Sequence, residues 1–327
     1  MSEAFRWHGG RLAEARALYG DTGEPWIDLS TGINPVPWPG AETIAPDWRA
    51  LPDPGALADL ESAAARHFGV AAPFLCAVPG SEIGLRIVGR LIEGAACHLT
   101  PCYRTHEAIF AGAVPSRAPE EAPAGSTLLL ANPNNPDGRL FSRARMRELL
   151  ARQERGGGWL VVDEAFADCL PANSVAAEVT EDRRLVVLRS FGKFFGLAGV
   201  RLGFVLGPPS IVAACRRLLG DWPVSAAALA FGAAAYRDSA WVEATIASLR
   251  GRAARLDSLL ARHGLEGQGA CPLFRLLTGV DAAGLFDRLA RRAILTRPFE
   301  EQAGWLRLGL PGDEAAMARL DRALGDG

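Results

Sequence analysis

The chain has 327 residues and a single lysine, Lys193; every other basic residue among its 35 lysines and arginines is arginine. Chemistry that needs a side-chain amine therefore has one candidate. Other scarcities exclude whole classes of function. The 35 basic residues are balanced by 37 acidic ones, for a formal net charge of -2. That balance argues against nucleic acid as the main partner, which calls for a basic surface. The six cysteines (Cys76, Cys97, Cys102, Cys169, Cys215, Cys271) include no C-x-x-C pair. Scattered single cysteines in a chain of this size suggest reduced, buried thiols in a cytoplasm. The five histidines also lack metal-ligand spacing, so no metal is expected. The uncharged stretch from Trp222 to Tyr236 is too short and too rich in alanine to span a membrane. The opening run Met1 to His8 has no apolar core of a signal peptide, and the expected location is cytoplasmic.

What remains is a globular chain, 49% hydrophobic and 22% charged, long enough for two domains. Short apolar runs alternate with helical patterns. Ala95–Leu99, Ser126–Ala131, Trp159–Asp163, Arg184–Arg189 and Leu202–Gly207 read as buried strands. Leu57–Phe68 reads as a helix stopped by Gly69, Gly80–Ile92 as a second, and Arg143–Arg155 as a third closed by Gly156-Gly-Gly158. Strands alternating with helices predict a mostly parallel α/β sheet. The first forty residues, rich in Gly, Pro and Trp, read as an ordered arm. Beyond Gly207 a long helix over Ser239–His263, short strands at Leu273–Leu277 and Trp305–Leu310, and two more helices form an α+β pattern. No internal repeat is evident.

Lys193 sits in Arg189-Ser-Phe-Gly-Lys-Phe-Phe-Gly-Leu-Ala-Gly-Val-Arg-Leu-Gly203. The flanking apolar runs hold the amine on a loop between strands, where desolvation and nearby cations lower its pKa. Such an amine is suited to forming a Schiff base with a carbonyl. Ser190 and Arg201 supply a hydroxyl and a guanidinium suited to phosphate. An aldehyde-bearing, phosphorylated cofactor meets all three demands, and pyridoxal 5′-phosphate (PLP) is the obvious one.

Four weaker signals precede this segment. Pro79-Gly-Ser-Glu-Ile83 opens a helix, whose free N–H groups favour phosphate. Tyr103, in Pro101-Cys-Tyr-Arg-Thr-His106, is able to stack on an aromatic cofactor or simply to fill the core. Asn132-Pro-Asn-Asn-Pro-Asp-Gly138 follows a strand, at the end where ligands gather in open α/β sheets. Asp163 ends the next strand, either as a cap or as a carboxylate paired to a protonated ring nitrogen. Glu164 points to the opposite side of a continuing strand and is the lesser candidate.

Taken in this order, the signals resemble the fold-type I, PLP-dependent aminotransferase superfamily (class I/II), over about Ile27 to Leu310. The resemblance implies a large PLP-binding domain over 36–235, with a mostly parallel mixed sheet between helices. It also implies a smaller α+β C-terminal domain over 236–327, and an N-terminal arm over 1–35 packing on the small domain and the active site. On it, Lys193 is the Schiff-base lysine, Asp163 the partner of the pyridine nitrogen, and Asn135 the donor to the ring hydroxyl oxygen. Tyr103 stacks on the ring. Ser190 and Arg201, with the backbone of Gly80, Ser81 and Glu82, hold the phosphate. Arg307, in Trp305-Leu-Arg-Leu-Gly309, matches the arginine for the substrate carboxylate. Two positions depart from the pattern. Phe166 stands where many members have tyrosine, and Leu51-Pro-Asp-Pro54 replaces a Tyr-Pro-x-Pro segment that reaches across the dimer.

The arm narrows the choice. His8-Gly-Gly-Arg-Leu-Ala-Glu-Ala15 and Trp26-Ile-Asp-Leu-Ser-Thr-Gly-Ile-Asn-Pro35 are similar to the threonine-phosphate decarboxylase branch that serves cobalamin biosynthesis, as are Asp163–Phe166 and Trp222-Pro-Val-Ser225. The implied reaction is decarboxylation of L-threonine O-3-phosphate to (R)-1-aminopropan-2-yl phosphate, with His8, Gly9 and Asn34 on the substrate side. The alternatives are a histidinol-phosphate-type aminotransferase and a non-catalytic binding partner in corrinoid assembly. The expected partners are the small phosphorylated substrate and a second copy of the chain, in a homodimer.

Overall fold

The computed structural model describes Phe5, residues 8–20 and residues 23–325. Parts of the N-terminal arm, residues 1–4, 6–7 and 21–22, lie outside the described residues. The strands, in chain order, are β1 (Ile27–Asp28), β2 (Leu75–Val78), β3 (Ala96–Leu99), β4 (Val114–Ser116), β5 (Thr127–Ala131), β6 (Leu160–Glu164), β7 (Leu185–Ser190), β8 (Gly203–Leu206), β9 (Phe274–Leu277), β10 (Ile294–Leu295), β11 (Arg297–Pro298) and β12 (Leu306–Gly309). The chain forms two compact units. One comprises Pro37–Asn135 and Arg139–Ala244; the other comprises Met1–Val36, Pro136–Gly138 and Thr245–Gly327.

The larger unit is built on a seven-stranded sheet of order β2-β8-β7-β6-β5-β3-β4. Pairing is parallel from β7 through β6, β5 and β3 to β4, and β8 runs antiparallel to both of its neighbours. Strands β2, β3, β5, β6, β7 and β8 are buried along their whole length. That is why they read as continuous apolar runs instead of alternating ones. Val161, Val186, Leu188 and Val205 pack with Leu85 and Val88 of the helix Ser81–Leu91 in one core cluster. Local chemistry sets the helix ends. Asp53 accepts from the Ala56 N–H and Pro54 takes the first position of the helix Pro54–Phe68, which stops at left-handed Gly69. Ser142 caps Arg143–Arg155 and Ser225 caps Ala226–Arg237 in the same way.

The smaller unit holds a three-stranded antiparallel sheet, β11-β12-β9, and the parallel pair β1-β10. The helix Ala282–Ala290 buries Leu285, Phe286 and Leu289.

Three local features go beyond the pattern or change it. The arm contains the helix Leu12–Tyr19 and β1, because Ile27 and Asp28 gain strand partners from Ile294 and Leu295, far away in sequence. Strand β2, four residues ending at Pro79-Gly80, has too short a pattern to be read from sequence, yet it closes one edge of the sheet. Lys193 does not lie on an open loop but in the single helical turn Phe191–Phe194. Burial of Phe191, Phe194 and Phe195 winds the chain there.

Candidate active site

The register of the sheet collects the candidate residues of the larger unit along one edge. Asp163 pairs with Ala131 on one side and Leu188 on the other, and Ser190 pairs with Gly203. Val78 also pairs with Gly203. The turn at Gly80, the segment after Ala131, the end of β6 and the turn after β7 therefore all leave the sheet at the same edge. This is the carboxyl edge of the parallel strands, where open α/β sheets place ligands.

Gly80, Ser81, Ser190 and Arg201 form one of the resulting groups. Gly80 has φ +93°, and a Cβ placed there would stand 2.6 Å from Nη2 of Arg201. The positive φ calls for glycine, and the missing Cβ leaves room for the guanidinium at the helix start. A Cβ on Gly203 would meet the Ser81 backbone nitrogen at 2.5 Å, so the strand and the helix start touch through backbone. Arg201 is itself left-handed, at φ +57°, and donates to the Ala198 carbonyl at 3.1 Å. A guanidinium lying against a helix N-terminus, with Ser190 paired to the same Gly203, suits a phosphate.

The second group surrounds Asp163. Its Oδ2 is 3.0 Å from Nε2 of fully buried His106, and its Oδ1 accepts from the Ala165 N–H at 3.0 Å. Both contacts aim the carboxylate. Glu164, the next residue, belongs to the other face: it takes Arg189, Ser174 and the Val175 N–H. This is the alternation expected of a strand. Asn135 is half-buried, within a loop that Asn132 clamps through reciprocal bonds with the Phe141 backbone at 2.8 and 3.1 Å.

Lys193 is half-buried, with its amine 5.8 Å from the centroid of the Phe166 ring. Its neighbours hold the turn that carries it. Phe191 and Phe195 stack at 4.7 Å, and Phe195 stacks on Trp241 at 5.6 Å. A Cβ on Gly192 would lie 2.6 Å from the Ala198 Cα, so the turn packs too tightly for any other residue. The Phe- and Gly-rich composition thus anchors the turn and leaves the lysine as its one polar side chain.

Tyr103 donates its hydroxyl to Glu82 Oε2 at 2.9 Å and meets the His106 ring edge-on at 5.7 Å. Burial pushes its phenol up to about 12, and the Glu82 carboxylate adds to this. Glu82 also accepts from Thr105 and Arg86, so its carboxylate is engaged on the Tyr103 side. His106 was not among the residues singled out from sequence. The signal was present in Tyr103-Arg-Thr-His106, but one histidine three residues after a tyrosine carries no message until the fold sets it beside Asp163.

In the smaller unit, Arg307 lies on β12 between β9 and β11, buried, with its Nη2 donating to the Ser30 carbonyl at 2.8 Å. Its guanidinium lies 5.0 Å from the centroid of the Phe274 ring. Burial, with the neighbouring Arg297 adding to it, lowers its pKa to about 9. Gly9 packs on the same Ser30: a Cβ there would stand 2.3 Å from the Ser30 carbonyl oxygen. Gly10 donates to the Ser30 hydroxyl at 2.8 Å, and that hydroxyl donates to Asp28 at 2.5 Å. The Gly9-Gly10 arm and Arg307 are therefore joined through one residue. His8 is exposed, and Asn34 is buried with its Oδ1 accepting from the Val36 N–H at 3.0 Å.

Residues 92–324 match the family model for aminotransferase class I and II. The chain is similar to threonine-phosphate decarboxylase of Pseudomonas aeruginosa, 43% identical over 97% of this chain and 96% of the relative. It is similar to threonine-phosphate decarboxylase of a Sinorhizobium species at 39% identity, over 97% of each chain. Among solved structures, histidinol-phosphate aminotransferase from Sinorhizobium meliloti, in complex with pyridoxal-5′-phosphate, superimposes with a TM-score of 0.81 at 22% identity, over 96% of each chain. On the family match, on these full-length similarities and on the shared fold, the chain belongs to the aminotransferase class I and II family.

Proposed function

We propose that this chain is a PLP-dependent threonine-phosphate decarboxylase, acting on L-threonine O-3-phosphate to release CO₂ and (R)-1-aminopropan-2-yl phosphate in cobalamin biosynthesis. The observation that carries the substrate is the similarity to two relatives of that name across nearly the whole chain, the N-terminal arm included. The site residues fit the cofactor. Lys193 supplies the only side-chain amine, Asp163 a carboxylate aimed by His106, and Arg201, lying against Gly80, a guanidinium at the helix start, with Ser190 assigned to the same phosphate. Asn135 and Tyr103 are assigned to the ring. Bound PLP supplies an electron sink for the pair left when a bond at the substrate Cα breaks.

The chain's own residues do the rest. Asp163, oriented by His106, would offer its carboxylate to the ring nitrogen of bound PLP and so favour the cationic ring. Arg307 takes the substrate carboxylate, and His8, Gly9 and Asn34 serve the substrate phosphate. Lys193 Nζ carries the proton that replaces CO₂ at Cα, so that one carboxylate leaves as CO₂ and one C–H bond forms.

The test is CO₂ release from L-threonine O-3-phosphate by purified holoenzyme. A 2-oxoglutarate-dependent amino transfer from histidinol phosphate, without CO₂, would assign the chain to the aminotransferase reading instead. A colourless protein that takes up no PLP would mark a binding role. Lys193→Ala is expected to lose the visible cofactor absorbance and essentially all activity. Borohydride treatment of the wild-type holoenzyme should place a single pyridoxyl adduct, on Lys193, because no other lysine exists. A homodimer is proposed on family grounds, with light scattering as its check. Among the described residues no helix is long and apolar enough to cross a membrane, and a cytoplasmic location is proposed from the cysteine pattern.

A further inference from the structure

We propose that His98, Cys102 and Glu107 form a binding site for a zinc-class divalent cation, mounted on the segment that carries Tyr103 and His106. One ligand atom from each of the three side chains lies within 4.8 Å of the others. Cys102 Sγ is 3.9 Å from Glu107 Oε1. Zinc bonds of about 2.3 Å to sulfur and about 2.1 Å to nitrogen or oxygen, at tetrahedral angles, set ligand atoms roughly 3.6 Å apart. Closing the set around an ion therefore takes about an ångström of side-chain movement.

An independent observation comes from His98. It is buried, at 5% exposure, and its Nδ1 has no hydrogen-bond partner among the described residues. A buried polar nitrogen left in that state costs about 1–3 kcal/mol, which is unusual unless something else engages the ring. The ring is also rigidly placed: His98 pairs with Pro115 of β4 and Leu129 of β5, so its strand is held on both sides. Cys102 is the one cysteine of the six that is not fully buried, and Glu107 is exposed on the single turn Arg104–Ala108. Two ligands open to solvent and one fixed in the sheet give an ion a path of entry.

The donor set selects the cation. One imidazole, one thiolate and one carboxylate suit a borderline-soft ion and do not suit magnesium or calcium, which take oxygen. Three protein ligands leave a fourth position for water. Histidine spacing in the sequence hides the site, because the ligands are joined by the turn after β3 and not by a recognised metal pattern.

The placement has a consequence for the segment between the ligands. Tyr103 and Thr105 are held from one side by Glu82, at 2.9 and 3.2 Å. An ion bridging Cys102 and Glu107 to His98 ties the same segment to the sheet from the residues on either side of Tyr103.

Alkylation reads the site directly, since the other five thiols are buried. Holoenzyme is titrated with buffered free Zn²⁺. Bound zinc is counted per chain, and iodoacetamide labelling of Cys102 is followed by peptide mass spectrometry. The expected result is one zinc per chain and at least a roughly tenfold slower labelling of Cys102, reversed by EDTA. Cys102→Ser and Glu107→Gln should each weaken zinc binding by at least about tenfold while keeping the cofactor absorbance of a folded holoenzyme. Zinc binding that survives both substitutions, labelling that zinc leaves unchanged, or no zinc bound at micromolar free metal would each overturn the proposal. Both substitutions are at solvent-accessible side chains, so either alone keeps the test decisive if the other fails to fold.

Discussion

Arg189 and Arg307 are both buried on strands, one in each unit, and their surroundings treat the same charge in opposite ways. Arg189, on β7, donates to Glu164 at 2.8 Å and to Asp168, and lies 4.4 Å over the Phe68 ring. Burial acts to lower its pKa, but Asp168 and Glu164 overcome this and raise it. Arg307, on β12, donates to a backbone carbonyl and stands beside Arg297, and its pKa falls to about 9. The first arginine is already neutralised and works as a bolt. The second meets a backbone carbonyl, and burial with Arg297 outweighs the opposing pull of Asp28. Burial by itself therefore does not separate a structural charge from a binding one; the sign of the neighbours does.

The largest expected effect is on stability. Arg189→Met leaves Glu164 and Asp168 buried without their cation, and should lower unfolding stability by about 3–5 kcal/mol in a urea titration. An unchanged midpoint would remove the bolt from the comparison. The companion change, Arg307→Gln, removes a desolvated cation together with its bond to the Ser30 carbonyl, and should lower the midpoint by less. It should instead cost about 2–5 kcal/mol in transition-state binding, a loss of at least roughly thirtyfold in kcat/KM. Equal loss of stability in the two variants would show that both arginines are structural. The smallest effect is a pH dependence. Burial, with Arg297 adding to it, lowers the Arg307 pKa to about 9, so its charge should weaken as the pH rises past that value. KM for the substrate should then be flat below that pH and rise toward about tenfold per unit above it. A flat KM through pH 10 would mean that another group holds the carboxylate.

Much of the larger unit was legible. The apolar runs at 126–131, 159–163, 184–189 and 202–207 are strands because this sheet buries both faces of each, and each boundary falls within one or two residues of the observed one. The caps at Asp53, Ser142 and Gly69 act locally, so the helices they bound are local too. What escaped was non-local. The pairing of β1 with β10 joins residues over 260 positions apart in sequence. The His106 contact to Asp163 depends on the turn after β3, and the link from Gly9 through Ser30 to Arg307 depends on three separate stretches of chain. The cysteines illustrate the same limit. Composition pointed to buried thiols, and five are; Cys102 is half-exposed because it lies in that same turn.

The sequence by itself determined the chemistry available to this protein. With one lysine in the chain, set between Ser190 and Arg201 and behind Asn135 and Asp163, the amine and its order of partners needed no coordinates. It also determined which face Asp163 and Glu164 take, since strand alternation is a property of the backbone. Tertiary structure decided what each charge is worth. Asp163 and Glu164 are adjacent, yet one is oriented by a histidine and the other is locked to an arginine. Arg189 and Arg307 are the same residue with pKa values driven in opposite directions. Electrostatic energy depends on distance and burial, and both are fixed only when strands remote in sequence are brought side by side.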